Sequence, residues 1–558
     1  MFALGPMQEA VDKAVAEMDG NKISSRIWSH DHTVWKPEPE EITNRLGWLT
    51  IPEAMVARLD QINSLRDMVR EEGYTDAVLL GMGGSSLAPE VFRKTFGVRR
   101  GYLDLAVIDS TDPAAVLAVA EGLDPAKTLF VVATKSGTTV ETLSFFKFFY
   151  NRVSQALGSE YAGNSFVAIT DPETPLAEIG ERYGFRSVFL NDPQIGGRYS
   201  ALSYFGLVPA ALVGVDLPSL LKCAQRAMRE CAPGVPAREN TSILLGAAMG
   251  ELAEMGRDKL TFVASERVAA FGDWVEQLIA ESTGKEGRGI LPVIGEPIGP
   301  PDAYGDDRLF VQFRLDGDER YDSAIGTLEN AGHPVVRMRL HDLYELGGQF
   351  FLWEMATAVA GHRLRFNPFD QPNVEAAKVV ARRMLAEYVE KGALPEEKPT
   401  QSRDGIEVYG ETGTCSPAQA LTDFLASAEP ASYVAIQAYI PPTPENDNAL
   451  QLLRLKLRDR LRLATTVGYG PRFLHSTGQL HKGDAGRGLF IQLTCNDVRD
   501  VRIPDEAGKD ASSVTFGILK AAQAMGDRRA LLEAGRRVIR LHLGLGVAEG
   551  LEYLSKAF

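Results

Sequence analysis

The sequence predicts an α/β protein built on parallel sheets, and three observations predict it. From Asp76 onward, short runs rich in Val, Ile, Leu and Phe alternate with helical patterns. Loops rich in glycine or hydroxyls follow two of the earliest runs, and the alternation resumes near Leu260 and again near Tyr433. Strands that alternate with helices form sheets covered on both faces, and ligands in such sheets gather beyond the carboxyl ends of the strands. A chain of 558 residues is long enough for about two to four such domains.

Composition narrows the class. With 45% hydrophobic and 24% charged residues the chain reads as an ordinary globular protein. A formal net charge of -15 argues against nucleic acid or an anionic membrane as the main partner, but leaves room for a small anion in a locally positive loop. No window reaches the ~20 consecutive apolar residues of a membrane span. Cys223, Cys231, Cys415 and Cys495 follow neither a disulfide nor a zinc spacing. The start MFALGPMQEAVDKAVAEM lacks a basic stretch followed by an apolar core, so a cytoplasmic location is expected.

Taken in order, residues 1–60 hold a helical pattern from Met7 to Met18, then His30 and His32 with no partner Cys or further His nearby, which read as loop histidines; no function is assigned to the segment. Residues 61–208 form the first α/β domain, with strands expected at 77–80, 105–108, 129–133, 166–169 and 187–190. The first is followed by Gly81-Met-Gly-Gly-Ser-Ser86. Its third dinucleotide-type glycine is missing, with Ser86 in that place, so a sugar-phosphate contact is favoured over a nucleotide.

The third strand leads into Thr134-Lys135-Ser136-Gly137-Thr138-Thr139-Val140-Glu141-Thr142. A hydroxyl-rich loop at a helix N-terminus offers free N–H groups, hydroxyl donors and a favourable dipole to a phosphate. An ordinary N-cap with spare threonines is the plainer alternative. Ile195-Gly-Gly-Arg-Tyr-Ser200 delivers Arg198 either to a structural ion pair or to an anion.

Residues 209–391 form the second α/β domain, mostly helical to 258, with strands at 260–264, 309–313 and 334–338 and a long helix over 346–360. The helix Asp273–Ala280 runs into Glu281-Ser-Thr-Gly-Lys285. A carboxylate at a helix C-terminus is disfavoured by the dipole, which tends to raise its proton affinity toward that of a general base; a solvated surface glutamate is the bland alternative. Gln371 and Lys378, seven apart in NPFDQPNVEAAK, are expected on one helical face.

Five segments in one order, GMGGSSLAP, TKSGTTVET, GGRYSALSYFGL, ESTGK and NPFDQPNVEAAK, resemble the glucose-6-phosphate isomerase family over Asp76 to Lys378. The resemblance is closest to the form fused to transaldolase in some bacteria, although no transaldolase-like segment is seen. It implies two sugar-isomerase (SIS) type three-layer αβα domains with parallel sheets; the pattern beyond residue 410 adds an extra C-terminal α/β domain. It also implies interconversion of glucose 6-phosphate and fructose 6-phosphate through ring opening and a cis-enediolate, with no cofactor and no metal. Gly84, Ser85, Thr134, Lys135, Ser136, Thr138 and Thr139 would bind the 6-phosphate side, and Gln277 and Gln371 the sugar. Glu281 would be the base, Arg198 would face the enediolate, and Lys378 would assist ring opening together with a histidine.

That histidine is displaced. The interval after ESTGK that carries it in the family has none here, and a matching segment, His475-Ser-Thr-Gly-Gln479, appears in a third region. Residues 392–410 read as a charged linker and 411–558 as the C-terminal α/β domain. Strands are expected there at 433–440, 464–469 and 489–493, and helices at 449–463 and across 514–545. Arg308-Leu-Phe-Val-Gln-Phe313 parallels Gly488-Leu-Phe-Ile-Gln-Leu493, each followed by a long helix ending in glycine (Gly361, Gly526), which suggests partial duplication of the second domain. His475 is the expected ring-opening residue because it carries the Ser-x-x-Gln context; His481 is the second candidate.

The expected partner is a small sugar phosphate, with no nucleic acid and no membrane. A monomer suffices if His475 acts in cis; otherwise a homodimer is required. The alternatives are a phosphosugar isomerase that also accepts mannose 6-phosphate, a non-catalytic SIS sensor of sugar phosphate, which would need neither Glu281 nor Lys378, and, last, a nucleotide-dependent oxidoreductase.

Overall fold

Ala77–Leu80 and Leu129–Ala133 are continuous apolar runs, the pattern of strands buried on both faces. A computed structural model, which describes residues 1–410, 413 and 416–558, places both inside one parallel sheet. Cys415, one of the four cysteines weighed above, lies outside the described residues. After a two-residue strand β1 (Phe2–Ala3) come β2 (Asp76–Gly81), β3 (Asp104–Ile108), β4 (Thr128–Ala133), β5 (Phe166–Thr170) and β6 (Ser187–Leu190). They lie in the order β3-β2-β4-β5-β6, all parallel.

The second sheet holds β7 (Lys259–Ala264), β8 (Leu291–Ile294), β9 (Arg308–Leu315) and β10 (Val335–Leu340), in the order β8-β7-β9-β10 and parallel throughout. β1 closes its far edge antiparallel to β10, so the first residues of the 1–60 segment complete this sheet. The sequence reading names no strand at 291–294. Pro292 obscures it, and the fold tolerates the proline because β8 is an edge strand.

The third sheet differs most from expectation. β11 (Gln401–Arg403) and β12 (Ile406–Tyr409) form a hairpin within the stretch read as linker, and β12 pairs with a strand near the C-terminus. β13 (Tyr433–Tyr439), β14 (Ala464–Tyr469) and β15 (Gly488–Thr494) fall as expected. A small hairpin, β16 (Arg502–Ile503) with β17 (Val514–Thr515), precedes the helix Phe516–Glu533, and then comes β18 (Arg537–His542). The region 514–545 is therefore not all helical. Gly535, at φ +71, turns the chain, and Val538, Ile539 and Leu541 enter the sheet core.

This sheet runs β14-β13-β15-β18-β12-β11, its first four strands parallel. Counting only the parallel strands, in all three sheets the first lies between the second and the third, with the fourth beyond the third. The matching segments at 308–313 and 488–493 are β9 and β15, third strands both. The helices do not share that equivalence, because Leu346–Leu364 follows a fourth strand while Phe516–Glu533 precedes one. Gly361 and Gly526 lie inside these helices rather than ending them. A Cβ on Gly361 would meet Pro368, and one on Gly526 would lie 3.0 Å from the Ala381 amide nitrogen.

The third domain docks on the first sheet through the loop at the carboxyl end of β3. Arg472 Nε donates to Asp109 Oδ2 at 2.6 Å, Thr111 Oγ1 to Gln523 Oε1 at 2.7 Å, and Lys520 Nζ to Asp112 Oδ2 at 2.8 Å. Apolar packing surrounds them: Phe516 stacks on Phe145 at 5.6 Å, and Leu519 and Ile503 join the same core. Buried charges are tolerated here because each has a partner; an unpaired one is costly to desolvate. Among the described residues no helix is long and apolar enough to cross a membrane.

Candidate active site

The loop after β4 has the geometry of an anion cradle. Gly137 takes φ +70, a conformation that glycine alone adopts readily, and a Cβ there would meet Thr174 and Leu176 at 2.8 Å. Among the described residues, the amide N–H groups of Lys135, Ser136, Gly137 and Thr139 have no protein acceptor. Thr134 Oγ1 lies 2.8 Å from Thr139 Oγ1, and Ser136 Oγ 3.0 Å from Thr138 Oγ1, so the hydroxyls are clustered in pairs. Lys135 is placed differently from the hydroxyls: its ammonium is paired with Asp171 and with the Pro193 carbonyl, which leaves its main-chain amide to the loop. The helix Val140–Leu157 starts directly behind, its positive end toward the cradle.

The glycine loop after β2 sits against the arginine loop. A Cβ on Gly84 would fall 2.0 Å from the Gly197 carbonyl oxygen and 3.1 Å from the Arg198 amide nitrogen, so only glycine lets the two backbones meet. Ser85 is 8% exposed and its hydroxyl has no protein partner among the described residues.

Glu281 lies within the last turns of the helix Phe271–Thr283, one turn beyond Gln277. Its Oε1 stands 3.5 Å from Arg198 Nη1, and its Oε2 accepts from Gln277 Nε2 at 3.0 Å. The guanidinium is itself immobilised. Nε donates to Ser282 Oγ (2.7 Å), Nη1 to Gln371 Oε1 (2.8 Å), and Nη2 to the Pro368 and Asp370 carbonyls (2.7 and 3.0 Å). A fixed cation of this kind stabilises developing negative charge without reorganising.

His475 comes from the loop after β14. Gln277 Nε2 also donates to the His475 carbonyl at 2.8 Å, so one amide ties the carboxylate of Glu281 to the histidine loop. Gly83 permits this, since a Cβ there would lie 2.8 Å from that same carbonyl. The imidazole Nε2 is 3.0 Å from Glu141 Oε1. Ser136, Thr138, Thr139, Glu141, Lys378 and His475 together line one cavity of about 340 Å³. The structure thus joins two groups of expected residues: Glu281, Arg198, Gln277 and Gln371 in one, and the hydroxyl loop, Lys378 and His475 in the other.

Glu141, inside the TKSGTTVET motif, is a residue of this cavity that the sequence expectations did not name. It is 6% exposed. Burial pushes its carboxyl up, but the His475 imidazole, its place at the helix N-terminus and the charge of Lys378 prevail and hold it below its ordinary 4.5. A carboxyl lowered by folding stabilises the protein above 4.5, and that contribution is lost as pH falls through its lower folded value. Urea unfolding from pH 7 to pH 3 should therefore show an acid-side fall in stability that Glu141→Gln flattens; an identical slope in the variant would refute this.

Two expectations need correction. Gln371 and Lys378 do not share a helical face: the helix begins at Glu375, because Pro372 holds Gln371 in an extended loop. Gln371 serves Arg198 instead, while Lys378 faces the cavity. His481 is not a second site histidine. It is 3% exposed in the third domain's core, with its ring centroid 5.0 Å from that of Phe490, and burial drives its proton affinity well down.

Gln479 holds the assembly together. Its Oε1 accepts from the Asn373 amide at 2.8 Å and its Nε2 donates to the Gly284 carbonyl at 2.8 Å, bridging ESTGK to the NPFDQPN loop. Lys285 adds a strap to Asp370 and to the Asn367 carbonyl. Burial first, then the Arg198 charge, lowers its ammonium to about 8.

A profile of the phosphoglucose isomerase family matches residues 53–288. The glucose-6-phosphate isomerase of Rubrobacter xylanophilus is 31% identical over 407 residues, an alignment that takes in 61% of this chain and 92% of the relative. This chain belongs to the glucose-6-phosphate isomerase family. A glucose-6-phosphate isomerase of Thermus thermophilus is also 31% identical, over 389 residues, covering 61% of this chain and 90% of that one. Among solved structures, a hypothetical protein from Thermus thermophilus superposes with a TM-score of 0.60 at 26% identity, covering 69% of this chain and 100% of the other. A glucose-6-phosphate isomerase from Chlamydia trachomatis shares the fold with a TM-score of 0.52 at 18% identity, over 66% of this chain and 78% of that one. The phosphoglucose isomerase profile takes in the glycine loop, the Thr134 loop, Arg198 and Glu281; Gln371, Lys378 and His475 lie beyond it.

Proposed function

We propose that this chain interconverts glucose 6-phosphate and fructose 6-phosphate, and that one chain holds the whole site. The observation that carries this is the juxtaposition of Glu281 and Arg198 with His475 and Glu141 through the single amide of Gln277, next to the hydroxyl loop. The phosphate rests on the amides and hydroxyls of residues 134–139. His475 and Lys378 between them take the proton from the anomeric hydroxyl and return one to the ring oxygen, opening the ring. Glu281 then removes the proton from C2 of the aldose and delivers it to C1 while the hydroxyl proton passes from O2 to O1, and Arg198 faces the enediolate oxygen that carries the charge in between. Glu141, anionic at its helix N-terminus, keeps Nε2 of His475 a donor and frees Nδ1 for the sugar.

In this arrangement the chemistry requires no residue from a second chain. A coupled assay that follows glucose 6-phosphate formed from fructose 6-phosphate should find activity in the full chain, with mannose 6-phosphate offered in parallel to measure C2 tolerance. Tight binding of sugar phosphate with no turnover of either substrate would leave only the sensor reading.

A further inference from the structure

We infer that Gln523, on a helix of the third domain, is a positioning residue that holds the Glu141 carboxylate in place for His475; this rests on the isomerase reading above. Glu141 Oε1 accepts from two side chains, His475 Nε2 at 3.0 Å and Gln523 Nε2 at 2.7 Å. The other end of the same amide, Oε1, accepts from Thr111 Oγ1 at 2.7 Å. A carboxylate only accepts, so the NH2 of Gln523 must face Glu141, and the Thr111 hydroxyl then has a carbonyl to donate to. The orientation of the amide is set by chemistry.

The result is a relay of four side chains, Thr111–Gln523–Glu141–His475, that crosses between the first and third domains three times. Thr111 is 0% exposed, Gln523 5% and Glu141 6%, so water does not substitute readily for a missing member. Arg472 and Lys520 dock the domain on the same β3 loop that carries Thr111, through Asp109 and Asp112. Neither ion pair includes Glu141; of these docking side chains, Gln523 is the one bonded to it. The third domain thus supplies His475 and also the group that aims its partner carboxylate.

The charged surroundings decide how a variant at 523 behaves. From the first domain Glu141 faces it. From the helix Glu375–Lys391, Lys378 acts on Glu141, and Glu375 and Arg382 line the same cavity. The third sheet contributes the buried Tyr439. On the helix of Gln523 itself, Lys520 is neutralised by Asp112 and Asp497, and Asp527 by Lys482. A second carboxylate at 523 would therefore meet Glu141 as a like charge unless it is protonated, in which state it still donates.

The test is steady-state kinetics of the full chain with fructose 6-phosphate, for wild type, Gln523→Leu and Gln523→Glu, with inorganic phosphate as competitive inhibitor. Gln523→Leu should lower kcat about tenfold or more, with KM and phosphate inhibition within about twofold, since the cradle is untouched. Gln523→Glu should keep most of the wild-type rate at acid pH and lose it progressively as pH rises. A residue that merely fills space would show neither the kcat-only loss nor the pH-dependent rescue. Should the leucine variant fold poorly by circular dichroism, the isosteric glutamate variant carries the test. Wild-type kcat and pH profile in the glutamate variant overturn the inference; an inactive wild-type chain overturns the isomerase reading beneath it and the inference with it.

Discussion

Glu281→Gln should lower kcat about 100- to 10,000-fold and leave inhibition by inorganic phosphate unchanged. The amide has nearly the shape of the carboxylate, so Gln277 and Arg198 keep their places, but it does not carry a proton between C2 and C1. The carboxylate has few other duties: its contacts are Arg198 at 3.5 Å and Gln277 at 3.0 Å, and the guanidinium is held independently by Ser282, Gln371 and two carbonyls. Loss of the base should therefore be chemical rather than structural, with melting temperature preserved. Turnover within tenfold of wild type would remove Glu281 from the mechanism and with it the enediolate route.

His475→Ala should lower kcat about 100-fold, toward the lower end for an acid–base residue, because sugar rings also open slowly in water. Its larger consequence concerns the subunit that supplies the residue. His475 and Glu141 are bonded within one chain, and the histidine loop is clamped there by Gln277, by Gln479 on Gly284 and Asn373, and by Arg472 on Asp109. Mixing His475→Ala with Glu281→Gln should then restore no activity, since neither chain holds a complete site. Recovery of a substantial part of wild-type turnover in the mixture would show that the histidine crosses between chains, and would refute the single-chain site.

Sequence by itself determined much of this protein. Buried parallel strands announce themselves as unbroken apolar runs, which is why β2, β4, β7, β9, β13 and β15 were legible within a residue or two. Loop chemistry was legible where local backbone demands it, as at Gly137, and where the motif order from the glycine loop to NPFDQPNVEAAK marks the family. Four strands were not legible: β8 is an edge strand that contains a proline, β11 and β12 are short, and β18, an interior strand, is masked by the arginines that flank its buried residues directly behind a helix.

What only the tertiary structure decided is how distant residues meet. Glu141 reads locally as an unremarkable first-turn glutamate; its role comes from His475 and Gln523, more than 330 positions away. Gln371 and Lys378 looked like neighbours on a helix, and the proline between them sent one to Arg198 and the other to the cavity. Local sequence governs backbone conformation, but a hydrogen bond of about 3 Å between remote side chains depends on how three sheets pack, and no pattern along the chain encodes that distance.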